Sequence, residues 1–376
     1  MPLNDQQLAF KAYLKDQLFN RVRPLLFDEL EEKAHKFASI MFDALSASET
    51  DEVFQSLTLE NEVSMATGDS IVDRTTFSPW IAERRATTET PRWDAYKRLL
   101  VGRDWEANVI NTLDSQTDDV VELLGDPTAP DGTWPRRGLL MGEVQSGKTA
   151  TYLGILNKAL DYGYRVIIVI GGHTENLRQQ TQTRFDTDLL GVDSETWEDG
   201  ISNAAVRRVG VGEFSDLRAH LMTTVRTDFS RSKRGSSLTW VDGGLPTVFV
   251  TKKTPSLLEN IRTYIKSQAP GGRLDIPLIV VDDESDWGTP NTRNGADPTS
   301  VNRAIRALLD VSTRSSYLAI TATPFANIFI DDQAQFEFVE KSKRGEPAPE
   351  GPGTVLTDLF PSDYIRVMFP PSTYLG

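Results

Sequence analysis

The chain has 376 residues and a formal net charge of −14, with 40 Lys and Arg against 54 Asp and Glu. That acidic balance argues against bulk nucleic-acid binding over the whole surface, while leaving room for a local basic groove. There is no cysteine and there are only three histidines, His35, His173 and His220. This excludes disulfides, thiolate-bound metals and thiol nucleophiles, and leaves no histidine cluster of metal-ligand spacing. The N-terminus has no apolar core of a signal peptide, and no apolar run is long enough to span a membrane, so the expected setting is cytoplasmic.

In chain order, residues 1–130 are expected to form a helical region. Leu8, Phe10, Tyr13, Leu14 and Leu18 recur at helical spacing. So do Ala34, Phe37, Ile40, Met41 and Leu45, and then Trp93, Tyr96, Leu99 and Leu100. The Pro- and Gly-dense stretch 125–138 punctuates the chain. Beyond it, from residue 131 to 376, apolar strands alternate with amphipathic helices. Strands are expected at Gly138–Met141, Arg165–Ile170, Val206–Val211, Thr247–Thr251, Pro277–Val281 and Tyr317–Thr321. Helices are expected at Thr149–Tyr162, Thr174–Leu190, Pro255–Gln268 and Ser300–Val311. This alternation predicts an α/β fold, a parallel sheet with helices on both faces. Residues 191–245, polar and Gly-rich, are expected to contain an insertion, and 342–353 a flexible loop.

Three motifs carry chemistry. Gly142-Glu143-Val144-Gln145-Ser146-Gly147-Lys148-Thr149 fits the phosphate-binding loop GxxxxGK[ST], between a strand and a helix. Gly142, Gln145, Ser146 and Gly147 would supply the turn whose backbone N–H groups cradle phosphate. Lys148 would reach the outer phosphates and Thr149 would ligate Mg²⁺. Second, the apolar run Leu278–Val281 ends in Asp282-Asp283-Glu284-Ser285-Asp286. In one register Asp283 serves the metal and Glu284 orients or deprotonates the attacking water; in the other Asp282 takes the metal. The first register is preferred, because Asp283-Glu284-Ser285-Asp286 matches a DEAD-like box. Third, Thr321-Ala322-Thr323-Pro324 at another strand end would bring the hydroxyls of Thr321 and Thr323 near the phosphates, where open α/β sheets bind ligands.

This ordered trio resembles superfamily 2 helicases, which share a RecA-like ATPase core. Four stretches, Arg137–Thr149, Asn176–Gln182, Asp282–Asp286 and Thr321–Asn327, look like the Z-one domain family. These are prokaryotic helicase-like proteins, often labelled endonucleases, found beside restriction and phage-defence genes. The resemblance covers roughly residues 90–376 and implies an ATP- and Mg²⁺-dependent ATPase acting on DNA, with other defence proteins as possible partners. Family members continue into a second RecA-like domain, so this chain resembles an N-terminal fragment with one wall of the nucleotide cleft and weak activity of its own.

In superfamily 2 enzymes the segment matching Thr174, Asn176 and Arg178 touches the nucleic-acid backbone. The bland alternative is that Thr174 caps a helix and Arg178 pairs with a surface carboxylate. Lys252 and Lys253, at another strand end, are similar DNA-contact candidates or a solvated turn. Arg226, Arg231, Lys233 and Arg234 form a basic loop cluster, either a DNA contact or simply a solvated loop. His173 has a γ-phosphate role or that of a plain loop residue. Nuclease activity finds no support. Asp331, Asp332, Glu337 and Glu340 lack the lysine that a PD-(D/E)xK site needs, since Val339 and Ser342 stand where it would be.

Overall fold

A computed structural model of the protein describes residues 4–14, 33–39, 42, 45–53, 70–73, 77–129, 134–142, 148–196, 207–230, 244–269, 272–290, 298–324, 327, 330, 335–338 and 354–368. Their centre is an eight-stranded sheet. In chain order its strands are β1 (Ser70–Val72), β2 (Trp134–Gly142), β3 (Val166–Gly171), β4 (His220–Leu221), β5 (Thr247–Thr251), β6 (Leu278–Asp283), β7 (Arg314–Thr321) and β10 (Tyr364–Met368). In space they run β1-β10-β2-β7-β6-β3-β5-β4. Every pairing is parallel except β1 with β10. The remaining two strands, β8 (Gln335–Phe338) and β9 (Thr354–Thr357), pair antiparallel by themselves.

Alternation along each strand divides the core into two layers. On one face Leu140, Ile167, Val169, Val250, Ile279, Val281, Leu318 and Ile320 pack against helices α3 (Pro91–Gly102), α4 (Ala107–Leu123), α5 (Lys148–Tyr162) and α6 (Glu175–Phe185). On the other face Leu139, Ile168, Phe249, Leu278, Val280, Tyr317 and Ala319 meet α7 (Pro255–Gln268) and α8 (Ser300–Leu309). The fold is therefore the expected α/β arrangement, a mostly parallel sheet covered by helices on both sides. Gly138 in β2 lies directly under a neighbouring ring, and a Cβ there would stand 1.9 Å from the Tyr364 side chain.

The helices before residue 130 divide into two groups. α1 (Asp5–Leu14) forms a small cluster of Phe10, Leu14, Ala34, Ala38 and Val53. The short α2 (Ile81–Arg85), α3 and α4 instead share one continuous core with the sheet. Lys158 of α5, buried, joins Asp114 and Asp118 of α4 and lies 4.3 Å over the Trp93 ring of α3. This stretch, read in the sequence as part of an N-terminal region, is thus built into the sheet's covering layer.

The strand expected at Val206–Val211 is a correction. Val206 lies outside the described residues; Arg208 makes only an isolated bridge to Val192, and Gly210–Glu213 turns into a 3₁₀ helix. Gly210 sits at φ +53 and packs so closely that a Cβ would meet the Thr187 carbonyl oxygen at 2.0 Å. The helix expected over Thr174–Leu190 is α-helical to Phe185 and then widens into a π-helical turn, Asp186–Leu190. Residues 342–353 lie outside the described set, as do Arg231, Lys233 and Arg234.

Candidate nucleotide site

The site sits at the carboxyl ends of β2, β6 and β7. β2 runs into Gly142, and α5 starts at Lys148. Gln145, Ser146 and Gly147 lie outside the described residues. Across that loop, Lys148 Nζ donates to the Gly142 carbonyl oxygen at 2.9 Å. The ammonium thus bridges the two ends of the motif. Burial lowers the Lys148 pKa, while the carboxylates of Asp283, Asp286 and Glu284 pull it up. Three of the four acids of the second motif thus act electrostatically on the lysine of the first.

Strand parity distinguishes the adjacent aspartates. Asp282 shares the parity of Leu278 and Val280, on the α7/α8 side. It is wholly buried, paired with Lys253 Nζ at 2.8 Å, and accepts from Thr289 Oγ1 at 2.7 Å and the Tyr317 hydroxyl at 2.8 Å. Asp283 shares the parity of Ile279 and Val281, on the face that carries α5. Its carboxylate is half-buried, accepts the Glu284 N–H at 3.0 Å, and has no ion pair among the described residues. Burial, with Glu284 and Asp282 close by, pushes its pKa up to about 6.

Glu284 is exposed and has φ +54, a left-handed conformation rarely taken by a side-chain-bearing residue. The turn is held from below. Lys253 Nζ donates to the carbonyl oxygens of Glu284 at 2.7 Å, Trp287 at 3.1 Å and Asp283 at 3.2 Å. Thr321 Oγ1 donates to Asp286 at 2.7 Å and Thr323 Oγ1 donates to the other oxygen of the same carboxylate. Burial works to raise Asp286, yet these hydroxyls hold it below the usual carboxylate range. Thr321 and Thr323 are thus tied to the acidic turn, joining the second and third motifs. β7 makes this possible because it lies between β2 and β6.

Thr149, the expected metal ligand, lies in the first turn of α5, and its Oγ1 accepts from Arg184 Nη1 of α6 at 3.1 Å. Mg²⁺ takes six oxygens and draws most of them from water and substrate phosphates, needing only one or two protein carboxylates or hydroxyls. An unpaired carboxylate with a raised pKa on the α5 face, together with Thr149, has the oxygen chemistry such an ion requires. Among the described residues no group of three or more His, Asp or Glu could hold a metal by itself.

The nucleic-acid candidates separate. Arg178 is a correction. Its side chain is 0% exposed and bonds Glu175 at 2.7 Å and the carbonyl oxygens of Thr224 and Val225 at 2.9 and 2.7 Å. Lys253 is a correction for the same reason, a buried ammonium bonded within the acidic turn. Neither can reach a phosphate backbone. Thr174 caps α6 by accepting from the Leu177 N–H at 3.3 Å, and Thr174 and Asn176 are exposed. Lys252 is half-buried and pairs with Glu175 at 2.8 Å. Arg226 is exposed beside Glu195. The His173 ring stacks 4.1 Å from that of Trp287, at the rim of the sheet.

Sequence reading missed Lys253 as the fastener of the acidic turn and Arg184 as the neighbour of Thr149. No local pattern marks either, because each acts across elements far apart in the chain.

Neither a family model nor a curated protein matches the chain. Among solved structures, one described as a DnaB-like replicative helicase with its interactions with primase aligns over 84% of this chain and 80% of that one. It is 11% identical with a TM-score of 0.22, a likeness that carries no argument. Among the described residues, no helix is long and apolar enough to cross a membrane.

Proposed function

We propose that the chain is the ATP-binding and hydrolysing core of a superfamily 2 helicase-like DNA translocase. One observation carries the reading. Lys148 and Thr149 open the helix after β2, and Asp283 at the end of β6, on the sheet face that carries that helix, begins an acidic turn with Glu284 and Asp286 that acts electrostatically on the lysine. In this reading Gly142, Gln145, Ser146, Gly147 and Lys148 hold the phosphates, and Thr149 and Asp283 hold Mg²⁺, whose contribution is to neutralise phosphate charge. Glu284 accepts the proton of, or orients, the attacking water. Its exposed left-handed position sets the carboxylate beyond the strand end rather than into the core. Asp286 links this turn to Thr321 and Thr323, so a change at the phosphates is felt by β7. Thr174, Asn176 and Lys252 supply the remaining candidates for a DNA backbone. The motif resemblance adds a restriction or phage-defence setting.

A second reading is a nucleotide-dependent assembly switch that does not move on DNA. The burial of Arg178 and Lys253 favours it, because it leaves Lys252 as the one basic residue among the three candidates for a phosphate backbone. The experiment is ATP turnover with and without single- and double-stranded DNA, in wild type and Glu284→Gln. The translocase reading expects DNA-stimulated turnover that falls about 10²–10⁴-fold in the variant. Turnover indifferent to DNA favours the switch. No nucleotide binding by the wild type refutes both.

A further inference from the structure

Arg184 of α6 reaches across to the first turn of α5 and contacts Thr149. It is the last basic residue of α6, its side chain is exposed, and its Nη1 donates to Thr149 Oγ1 at 3.1 Å. Among the described residues it forms no ion pair with a carboxylate. A guanidinium is a bidentate donor suited to carboxylate or phosphate, and a threonine hydroxyl satisfies only one of its five N–H groups.

Its position is fixed by its neighbours. Phe185, fully buried, stacks on Tyr152 of α5 with ring centroids 6.1 Å apart. Tyr152 lies one turn after Thr149 on the same helix, so this ring pair locks α6 against the first turn of α5. Immediately after Phe185 the backbone widens into the π-helical turn Asp186–Leu190. That turn is pinned by Asp186, which accepts from Gln182 at 2.9 Å and from the Ser194 N–H at 3.0 Å. Arg184 is therefore presented on a rigid support. π-helical turns of this kind recur at functional sites.

We propose that Arg184 is a phosphate-binding residue supplied within this domain: it leaves Thr149 when nucleotide enters and pairs with the phosphate oxygens that gather around that hydroxyl. The inference rests on the nucleotide-site reading above. Its reach is set by general coordination chemistry. Thr149 would be one oxygen donor to a magnesium ion that also binds the phosphates, so phosphate oxygens would gather beside the hydroxyl that Arg184 already contacts. A guanidinium already in hydrogen-bond contact with the same atom needs only a small side-chain rotation to meet them. The domain then carries two phosphate-directed cations, Lys148 at the loop and Arg184 from the neighbouring helix.

The test is the affinity of the full chain for a fluorescent ATPγS analogue with Mg²⁺, measured by anisotropy for wild type, Lys148→Ala, Arg184→Ala and Arg184→Lys. The melting temperature of each ligand-free protein is recorded alongside. Arg184→Ala should raise Kd about 10-fold, the loss typical of one charge-assisted hydrogen bond, and Arg184→Lys should recover part of it. The ligand-free melting temperature should stay unchanged in both, because the side chain is exposed. An Arg184→Ala variant that binds as tightly as wild type or tighter overturns the proposal, because Arg184 then only props Thr149 in the empty site. If at the same time Lys148→Ala abolishes binding, the nucleotide site stands and Arg184 alone is discarded. If the wild type does not bind the analogue, or binds it no better than Lys148→Ala does, the nucleotide-site reading fails and this proposal with it.

Discussion

Two lysine–aspartate partnerships meet at the end of β6 and differ in almost every physical respect. Lys253 and Asp282 lie on the α7/α8 side, both 0% exposed, 2.8 Å apart, with Thr289 and Tyr317 completing the carboxylate. Lys148 and Asp283 lie on the α5 side, partly open to solvent; Lys148 rests on the Gly142 carbonyl and Asp283 has no cation paired to it among the described residues. One step along a strand separates the aspartates, and strand alternation sends them to opposite faces. The first pair is closed and structural. The second has unsatisfied charge on both members, which is what a site must keep if a ligand is to complete it.

The largest expected effect comes from breaking the closed pair. Lys253→Met leaves Asp282 buried without its cation and releases the three carbonyl oxygens that hold the acidic turn. A loss of about 3–5 kcal/mol is expected in urea denaturation. Combining it with Asp282→Asn should restore a substantial part, because the stranded charge is then gone. Lys148→Met is the counterpart. It should change stability by less than about 0.5 kcal/mol, as for a partly exposed side chain in no ion pair among the described residues, yet abolish nucleotide binding. Equal stability losses in the two lysine variants would erase the distinction between the partnerships.

That distinction was only half legible in the sequence. The apolar runs of β3, β5 and β6 and the Thr254-Pro255 start of α7 place these elements within a residue or two, because their signals are local. The phosphate-loop pattern is local too. Asp282 and Asp283, by contrast, are identical neighbours. Choosing between them requires knowing which face of β6 carries α5, a property of the whole sheet. Lys252 and Lys253 looked alike for the same reason: one step of the chain puts the first beside Glu175 and the second into the core. The strand β10 was missed because it lies among Pro- and Gly-rich stretches and is specified by its partner β2, against which Tyr364 packs over Gly138. Val206–Val211 reads as a strand by composition, but the close approach of Gly210 to Thr187 overrides that pattern.

Asp283 gives a smaller effect of opposite sign. Its folded pKa of about 6 lies above the ordinary 3.8. Between those values the folded state binds more protons than the unfolded one, so stability falls as pH rises through the window and the loss is complete above about pH 6. Asp283→Asn removes this penalty. At pH 7.5 the variant should be more stable than wild type by about 1–3 kcal/mol, and the two should converge below pH 4. Denaturation curves from pH 3.5 to 8 test this. A variant less stable than wild type at pH 7.5 would mean that Asp283 is satisfied in the fold, like Asp282.

Glu284 gives the smallest effect and separates charge from backbone. Its φ of +54 costs about 1 kcal/mol for a residue with a Cβ and almost nothing for glycine. The conformation is imposed from below, since Lys253 binds the Glu284 carbonyl oxygen whatever side chain the residue carries. Glu284→Gly should therefore raise stability by roughly 0.5–1 kcal/mol, whereas Glu284→Gln, which keeps the Cβ, should leave it unchanged. Both should lose turnover to the same extent if the carboxylate is what acts on water. Should glycine stabilise and lose turnover while glutamine keeps it, the strained backbone rather than the acid would be the functional element. Should neither substitution alter stability, the strain is relieved elsewhere in the turn, and the hold of Lys253 on this segment is weaker than its three carbonyl contacts imply.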